Sequence, residues 1–391
     1  MWSSRTSYAM PPVVEATHPA PRLQGKVIAA ALVLSAALLA AVAPQGWRLP
    51  VLLVLGIALG ATLYLTVFGF TAAYRRLIVD RDAAGVRAQL VMLAVATVLF
   101  APVLAAGTVF GQGVGGAVAP AGLQVAIGAF LFGVGMQLGG GCGSGTLYTA
   151  GGGNTRMIAV LVGFCAGGFW ASLHMDWWTR LPVWETRALS ERLGWPAAAG
   201  LQLVFIGGLW LALKRYARGR LAAEHNREKL LLAGAVLLAV LNLVVLVVAG
   251  HPWSITWAFT LWGAKGAQLL GWDPAGTTFW SAEFQRQALA GSVLHDVTSL
   301  MDIGILIGAL GGAAIAGRFA PSARLALRPL AAAVIGGLVM GYGARIAFGC
   351  NIGAFFSGVA STSLHGWLWI GAALPGNALG VRLRPWFGLE N

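Results

Sequence analysis

Ten long apolar stretches organise the chain, at about 26–43, 49–72, 87–109, 120–138, 157–173, 197–214, 229–249, 299–317, 329–347 and 363–380. Each approaches the roughly 20 apolar residues that a helix needs to cross a bilayer. The pattern therefore predicts an all-α polytopic membrane protein with about ten transmembrane helices. Two stretches interrupt it. Thr66-Val67-Phe68-Gly69-Phe70-Thr71-Ala72-Ala73-Tyr74 ends the second span. The run from Trp253 to Gly266 follows the seventh. That run is too short to cross and return, so it reads as a re-entrant or interfacial helix. Segment 271–298 is polar and carries Asp273, Glu283, Arg286, His295 and Asp296, which predicts a small cap on the outer side. Loop 174–195 is expected outside as well, with Trp177, Trp178 and Trp184 in the interfacial aromatic belt.

Composition agrees with the spans. Only 10% of residues are charged, against about 25% in soluble domains, so the chain cannot cover a water-facing surface. The net charge of +13 does not indicate nucleic acid, because the basic residues sit in short joints between spans, as the positive-inside bias requires. Arg75, Arg76, Arg81 and Arg87 follow the second span. Lys214, Arg215, Arg218, Arg220, Arg227 and Lys229 follow the sixth. Arg318, Arg324 and Arg328 follow the eighth, and Arg382 and Arg384 the tenth. With the N-terminus inside, all four clusters fall on the cytoplasmic side. Residues 1–25 are polar, contain Pro11, Pro12, Pro19 and Pro21, and lack a signal-peptide core. They are expected to form a flexible cytoplasmic tail, leaving 26–391 as a single membrane domain.

An internal repeat refines this picture. The stretch Gly133 to Gly145 recurs as Gly341 to Gly353, with Cys142 and Cys350 208 positions apart. At that offset Gly133, Gly135, Gly141, Cys142 and Gly145 all recur, and Ile127-Gly128 matches Ile335-Gly336. Charge-derived topology sends the fourth span inward and the ninth outward, so the repeat is inverted. Repeat one covers about 49–173 and repeat two about 229–380. Inverted repeats with broken helices place their site at the midplane. Irregular backbone at that depth survives only where it is buried in protein or lines a cavity. Cys142 and Cys350 are thus expected to face each other across a narrow polar passage.

The candidate chemistry follows. Buried cysteine is ordinarily a small, inert hydrophobe. Here the thiols recur at matched positions, beside Gly141, Gly143 and Ser144 in one copy and Gly349 and Asn351 in the other. A thiol is a weak, polarisable donor, and successive glycine N–H groups form anion-binding concavities. Together they suit a soft sulfur-containing anion. Cys165 matches Ala373 and lies mid-helix, so it is expected only to pack. Lys265, Asp302 and Arg345 lie near membrane depth and are functional candidates by default. Arg345 attracts an anion or merely snorkels. Asp302 pairing with Lys265 or Arg345 would be structural. His295 and Asp296 either gate the passage or are solvated. No catalytic triad, Walker loop or CxxC or HExxH metal spacing is present, and Gly151-Gly152-Gly153-Asn154 follows no strand. Neither an enzyme nor a cofactor is expected. The competing enzymatic reading is a membrane dithiol that uses Cys142 and Cys350 in redox exchange.

The motifs Gly135-x5-Gly141-Cys142-x-Ser144-Gly145, Gly343-Ala344-Arg345-x3-Gly349-Cys350-Asn351-x-Gly353, Trp262-Gly263-Ala264-Lys265 and Asp296-Val297-Thr298-Ser299-Leu300-Met301-Asp302-Ile303-Gly304 resemble the YeeE/YedE sulfur-transport family over about 50–380. The resemblance implies a bacterial inner-membrane importer of thiosulfate, shaped as an hourglass. It implies thiols at the constriction that pass the anion along by transient hydrogen bonds. It also implies a small cytoplasmic sulfur-carrier protein of the TusA type as partner. Cys142 and Cys350 match the family's paired cysteines. A third family cysteine corresponds to Gly69 here, in Phe68-Gly69-Phe70. That departure opens the alternative of another sulfur or a selenium species, since the YedE-like branch is linked to selenium metabolism.

Overall fold

A computed structural model describes residues 22–184, 187–217, 225–321 and 326–391. Most of the expected N-terminal tail, together with Arg218, Arg220 and Arg324, lies outside the described residues. The first repeat runs through α2 (Arg48–Leu65), α3 (Phe70–Asp80), α4 (Ala84–Ala106), α5 (Leu123–Gly139), α6 (Gly143–Gly151) and α7 (Arg156–Ser172). It is preceded by α1 (Gly25–Val42). A two-strand hairpin, β1 (Thr108–Val109) and β2 (Gln112–Gly113), follows α4. After the short α8 (Met175–Trp178), α9 (Leu189–Tyr216) leads into the second repeat. This consists of α10 (His225–Ala249), α11 (Thr256–Leu269), the cap helices α12 (Thr278–Ser281) and α13 (Glu283–Ala290), and α14 (Val297–Ile315). It ends with α15 (Leu327–Ile346), a π-helical turn (Asn351–Phe356) running into α16 (Ser357–Ala360), and α17 (Leu364–Leu383).

Among the described residues, eight helical segments are long and apolar enough to cross a membrane, and the protein is an all-α polytopic membrane protein. They coincide with eight of the ten expected spans. The other two are α7 and α17. At 17 residues α7 is about 25 Å long, short of the roughly 30 Å hydrocarbon core. α17 has 20 residues but carries His365, Pro375, Asn377 and Arg382, which dilute its apolar character.

The pairing of helices displays the repeat directly. α2 packs along α14, and α10 along α4. α7 lies along α15, and α17 along α5. α6 meets α14 where α16 meets α4, and α1 sits on α14 as α9 sits on α4. The symmetry therefore takes in α1 and α9, which precede the expected repeat boundaries. At the centre the related helices α5 and α15 cross antiparallel, which is the geometric content of inversion. A Cβ on Gly128 would stand 2.6 Å from the Gly343 carbonyl oxygen, and one on Gly135 2.7 Å from that of Gly336. The 208-residue shift carries one contact onto the other. Glycine is required at this crossing because the backbones touch, the small-residue mode of membrane helix packing.

Each repeat breaks its helices at two joints, and each joint holds a residue with positive φ: Val67, Gly140, Gly250 and Phe348. Outside the bundle, Trp280 of the cap is fully buried and its indole donates to Ser172 Oγ at 2.8 Å, which docks the cap on the end of α7. Trp177 and Trp184 are exposed, as an aromatic belt requires. Trp178 instead turns inward and donates to the Tyr342 hydroxyl at 3.0 Å.

Candidate functional site

The two glycine–cysteine stretches end their helices and begin new ones at the cysteine. α5 stops at Gly140, whose φ of 87° makes it a left-handed cap. Cys142 then adopts extended backbone and caps α6 through its sulfur, which accepts from Gly145 N at 3.4 Å. Ser144 Oγ lies 3.4 Å from the same sulfur. In the second copy Cys350 caps the π-helical turn, and its sulfur accepts from Ile352 N at 3.4 Å. Both thiols are free and buried. Each sits at the N-terminal end of a helical segment, where backbone N–H groups favour negative charge.

The structure brings the two copies together. A Cβ placed on Gly143 would stand 3.3 Å from Cys350 Sγ and 3.3 Å from Ile255 Cγ2. The glycine beside the first cysteine thus leaves the space that the second thiol fills. The two thiols also lie within electrostatic reach of one another. The start of α11 flanks this contact on one side through Ile255 and Thr256. On the other, Asn351 Nδ2 donates to the Tyr74 hydroxyl of α3 at 3.3 Å. Gly69 begins α3 in extended conformation, and a Cβ there would stand 3.0 Å from the Tyr148 hydroxyl. A phenol, not a thiol, therefore faces that break. Thr71 Oγ1, Thr146 Oγ1, Trp253 Nε1 and Asn351 Oδ1 are buried around the same elements without a hydrogen-bond partner. Buried polar groups left so are uncommon, and they offer ready contacts to a polar guest.

The charged candidates separate. Lys265 does not meet Asp302; its ammonium donates to the carbonyls of Leu289 and Gly291, both at 2.7 Å, and so caps α13. Arg345 stands over the Phe279 ring at 5.1 Å and its Nε has no partner. Asp302 is fully buried, and both carboxylate oxygens lack a partner. The structural alternative, in which Asp302 pairs with Lys265 or Arg345, is therefore not formed. Lys265 is drawn off by exposed helix-end carbonyls, and Arg345 by an aromatic face. Asp296 caps α14 by accepting from Ser299 N at 2.8 Å, and its other oxygen accepts from Trp257 Nε1 at 2.9 Å. Neither oxygen is left to solvent alone. Cys165 stays half-buried on α7, with its own carbonyl against Gly263 of α11.

Residues that the spacing did not single out also shape the site. Arg156 Nη2 donates to the carbonyls of Leu138 at 3.1 Å and Gly139 at 2.7 Å. Arg384 Nη1 donates to the carbonyl of Gln137 at 2.7 Å. These two arginines hold the open end of α5 next to Cys142. Arg75 and Arg156 both lie within electrostatic reach of Arg384, so positive charge gathers at that end of α5. The only signal for Arg156 in the sequence is a charge directly after a glycine-rich break. Tyr74 and Tyr148 gave none.

A family model described as Sulphur transport matches residues 65–379, and the chain belongs to that family. The chain is similar to the probable transporter YedE of Escherichia coli K12, 34% identical over 139 residues, which are 34% of this chain and 33% of that protein. It is similar to the thiosulfate transporter TsuA of Spirochaeta thermophila, 30% identical over 264 residues, which are 62% of this chain and 72% of that one. The TsuA of Escherichia coli K12 is 28% identical over 278 residues, 68% of this chain and 74% of its own length. The chain thus matches about a third of the length of the YedE relatives and nearly three quarters of the TsuA relatives.

Proposed function

We propose that this member of the Sulphur transport family imports a small sulfur-containing anion, thiosulfate in the first instance, across the bacterial inner membrane, with both termini cytoplasmic. The observation that carries this reading is the seating of the Cys350 thiol against Gly143, beside Cys142, with helix N-termini on both sides. Arg345 supplies positive charge on the outer approach. At the neck the anion exchanges water for S–H and backbone N–H donors. The sulfur of the guest accepts from soft thiols and its oxygens accept from N–H groups. No bond forms or breaks. The positive charge of Arg75, Arg156 and Arg384 then draws the anion inward. A TusA-like carrier at the cytoplasmic face would remove the product and sustain flux.

The similarity to TsuA over most of its length favours thiosulfate. Gly69 and the Tyr148 hydroxyl favour a different guest, a larger sulfur or selenium species, because the break there has no thiol. The test is growth of a bacterial strain lacking sulfate and thiosulfate import, on thiosulfate as sole sulfur source. Rescue by this chain, with uptake of labelled thiosulfate, supports the reading. Expression in the membrane without rescue or uptake removes thiosulfate. The dithiol reading instead requires Cys142 and Cys350 to become oxidised on turnover with no net uptake.

A further inference from the structure

Asp302 is a buried carboxyl at the core of the bundle that the passage of an anion leaves without a task. Ser299, Asp302 and Leu306 share one face of α14 by helical spacing. Ser299 Oγ accepts from Trp262 Nε1 of α11 at 2.9 Å, and the Leu306 carbonyl abuts Gly151 of α6. Asp302 therefore projects between α11 and α6, the helices that wall the neck. It is fully buried with neither oxygen hydrogen-bonded.

Among the described residues, none of the groups set against it is a cation that could hold a negative charge. α2 presents Leu53, Gly56, Ile57 and Gly60 to α14. α11 presents Trp262, while its Lys265 is committed to Leu289 and Gly291. α6 presents Gly151, and its titratable residue, Tyr148, is turned to Gly69. α1 presents Ala31. His295 lies in the turn before α14. Among the described residues, the titratable groups within electrostatic reach of the carboxyl include Asp296, Cys165 and Cys350. None of the three can be a cation. An isolated carboxylate in such a place is disfavoured unless neutralised.

We propose that Asp302 is the proton site of the transporter, and that an anion enters the neck only when this carboxyl carries a proton, so that anion and proton move together. The proposal rests on the anion-import reading. Its physical basis is exclusion. A negative Asp302 within reach of Cys350 repels a guest held by that thiol, so the two negative charges cannot occupy the site together. Linkage makes this reciprocal: the proton favours the anion, and the anion favours the proton. When the anion leaves for the cytoplasm the carboxyl loses that support, and the cytoplasmic water that replaces the anion both solvates the carboxylate and takes its proton.

The test uses purified full-length protein in liposomes. Counterflow of labelled thiosulfate at equal pH on both sides reads anion passage alone. Accumulation under an acid-outside pH gradient reads coupling. One proton per anion gives about tenfold more accumulation per pH unit in the wild type. Asp302→Asn, a permanently neutral isostere, is expected to retain counterflow and lose the response to the gradient. An unchanged response in Asp302→Asn, or no response in wild-type protein with intact counterflow, overturns the proposal. Absence of counterflow in the wild type removes the import reading and the proposal with it. Should Asp302→Asn lose counterflow, Asp302→Glu decides. A gradient response with a displaced pH profile supports the proton role, and an undisplaced profile overturns it.

Discussion

Gly143 and Cys350 fit together as lock and void: a methyl group on the glycine would stand 3.3 Å from the sulfur and 3.3 Å from Ile255 Cγ2. The two residues come from opposite repeats, so in the proposed import path the width of the neck is set by the absence of one side chain. Gly143→Ala is expected to lower thiosulfate uptake by about tenfold or more, the factor that 1.4 kcal/mol represents. Helix propensity rises with the same substitution, so the amount of folded protein should not fall. Uptake normalised to membrane-inserted protein measures this. Wild-type flux in Gly143→Ala would show that the neck lies elsewhere.

The thiols themselves are separable. Cys142→Ser and Cys350→Ser keep a hydrogen-bond donor of similar shape but replace soft sulfur by oxygen. Each is expected to reduce uptake by about tenfold or more, whereas Cys165→Ser should stay close to wild type. Labelled uptake in the three variants, side by side, tests the assignment. Equal loss in all three would point to packing. Equal retention would take the thiols out of the path.

The α5–α15 crossing depends on backbone contact. A Cβ on Gly343 would stand 2.4 Å from the Gly128 carbonyl oxygen and 2.8 Å from Phe132 N, atoms that cannot yield without moving a helix. Gly343→Ala should therefore destabilise the protein by about 1–3 kcal/mol, as overpacking does. Gly371 on α17 has nothing within 4 Å of such a Cβ, so Gly371→Ala should be neutral or mildly stabilising. Thermal unfolding in detergent compares them, and the prediction fails if the two variants melt alike.

How much of this was legible beforehand depends on what kind of information each residue carries. The spans are runs of apolar residues, and runs survive in one dimension. The paired Gly141-Cys142 and Gly349-Cys350 stretches are local patterns with a fixed offset, and the structure places them at helix N-termini that meet. The pairing of α5 with α15 followed from the 208-residue repeat, and its inversion from the loop charges. Partners were a different matter. Lys265 and Asp302 both looked like charges at membrane depth, and only the fold reveals that Lys265 reaches the end of α13 while Asp302 reaches nothing. Tyr148 carries no signal in the sequence until α3 folds back and brings Gly69 to its hydroxyl. Arg384 was a topology marker in the sequence and Arg156 only a charge after a glycine-rich break; both become capping donors once α5 ends between them.

Those caps make a stability prediction. Removing Arg156 leaves the carbonyls of Leu138 and Gly139 without their charge-assisted partner, a loss of about 1.5–3 kcal/mol for a bond to a charged group. Arg156→Ala should lower the unfolding temperature, and Arg156→Lys should recover part of it because an ammonium cannot serve two carbonyls in the same planar arrangement. If Arg156→Ala unfolds at the wild-type temperature, the caps do not hold α5.

Gly69 offers the sharpest probe of the guest. A cysteine at Gly69 would bring its Cβ to 3.0 Å from the Tyr148 hydroxyl, so thiol and phenol compete for one place. Gly69→Cys alone is expected to impair uptake. Gly69→Cys combined with Tyr148→Phe removes the hydroxyl from that contact and should recover flux relative to the single cysteine variant. Tyr148→Phe alone discards a donor without adding a thiol and should lower uptake. The signature is therefore non-additivity, the expected behaviour of two residues that share a contact. Labelled thiosulfate uptake across the four members of the cycle measures it. If the double variant loses no less than the two single losses combined, the hydroxyl and the break act independently, and Tyr148 does not occupy the position of a third thiol.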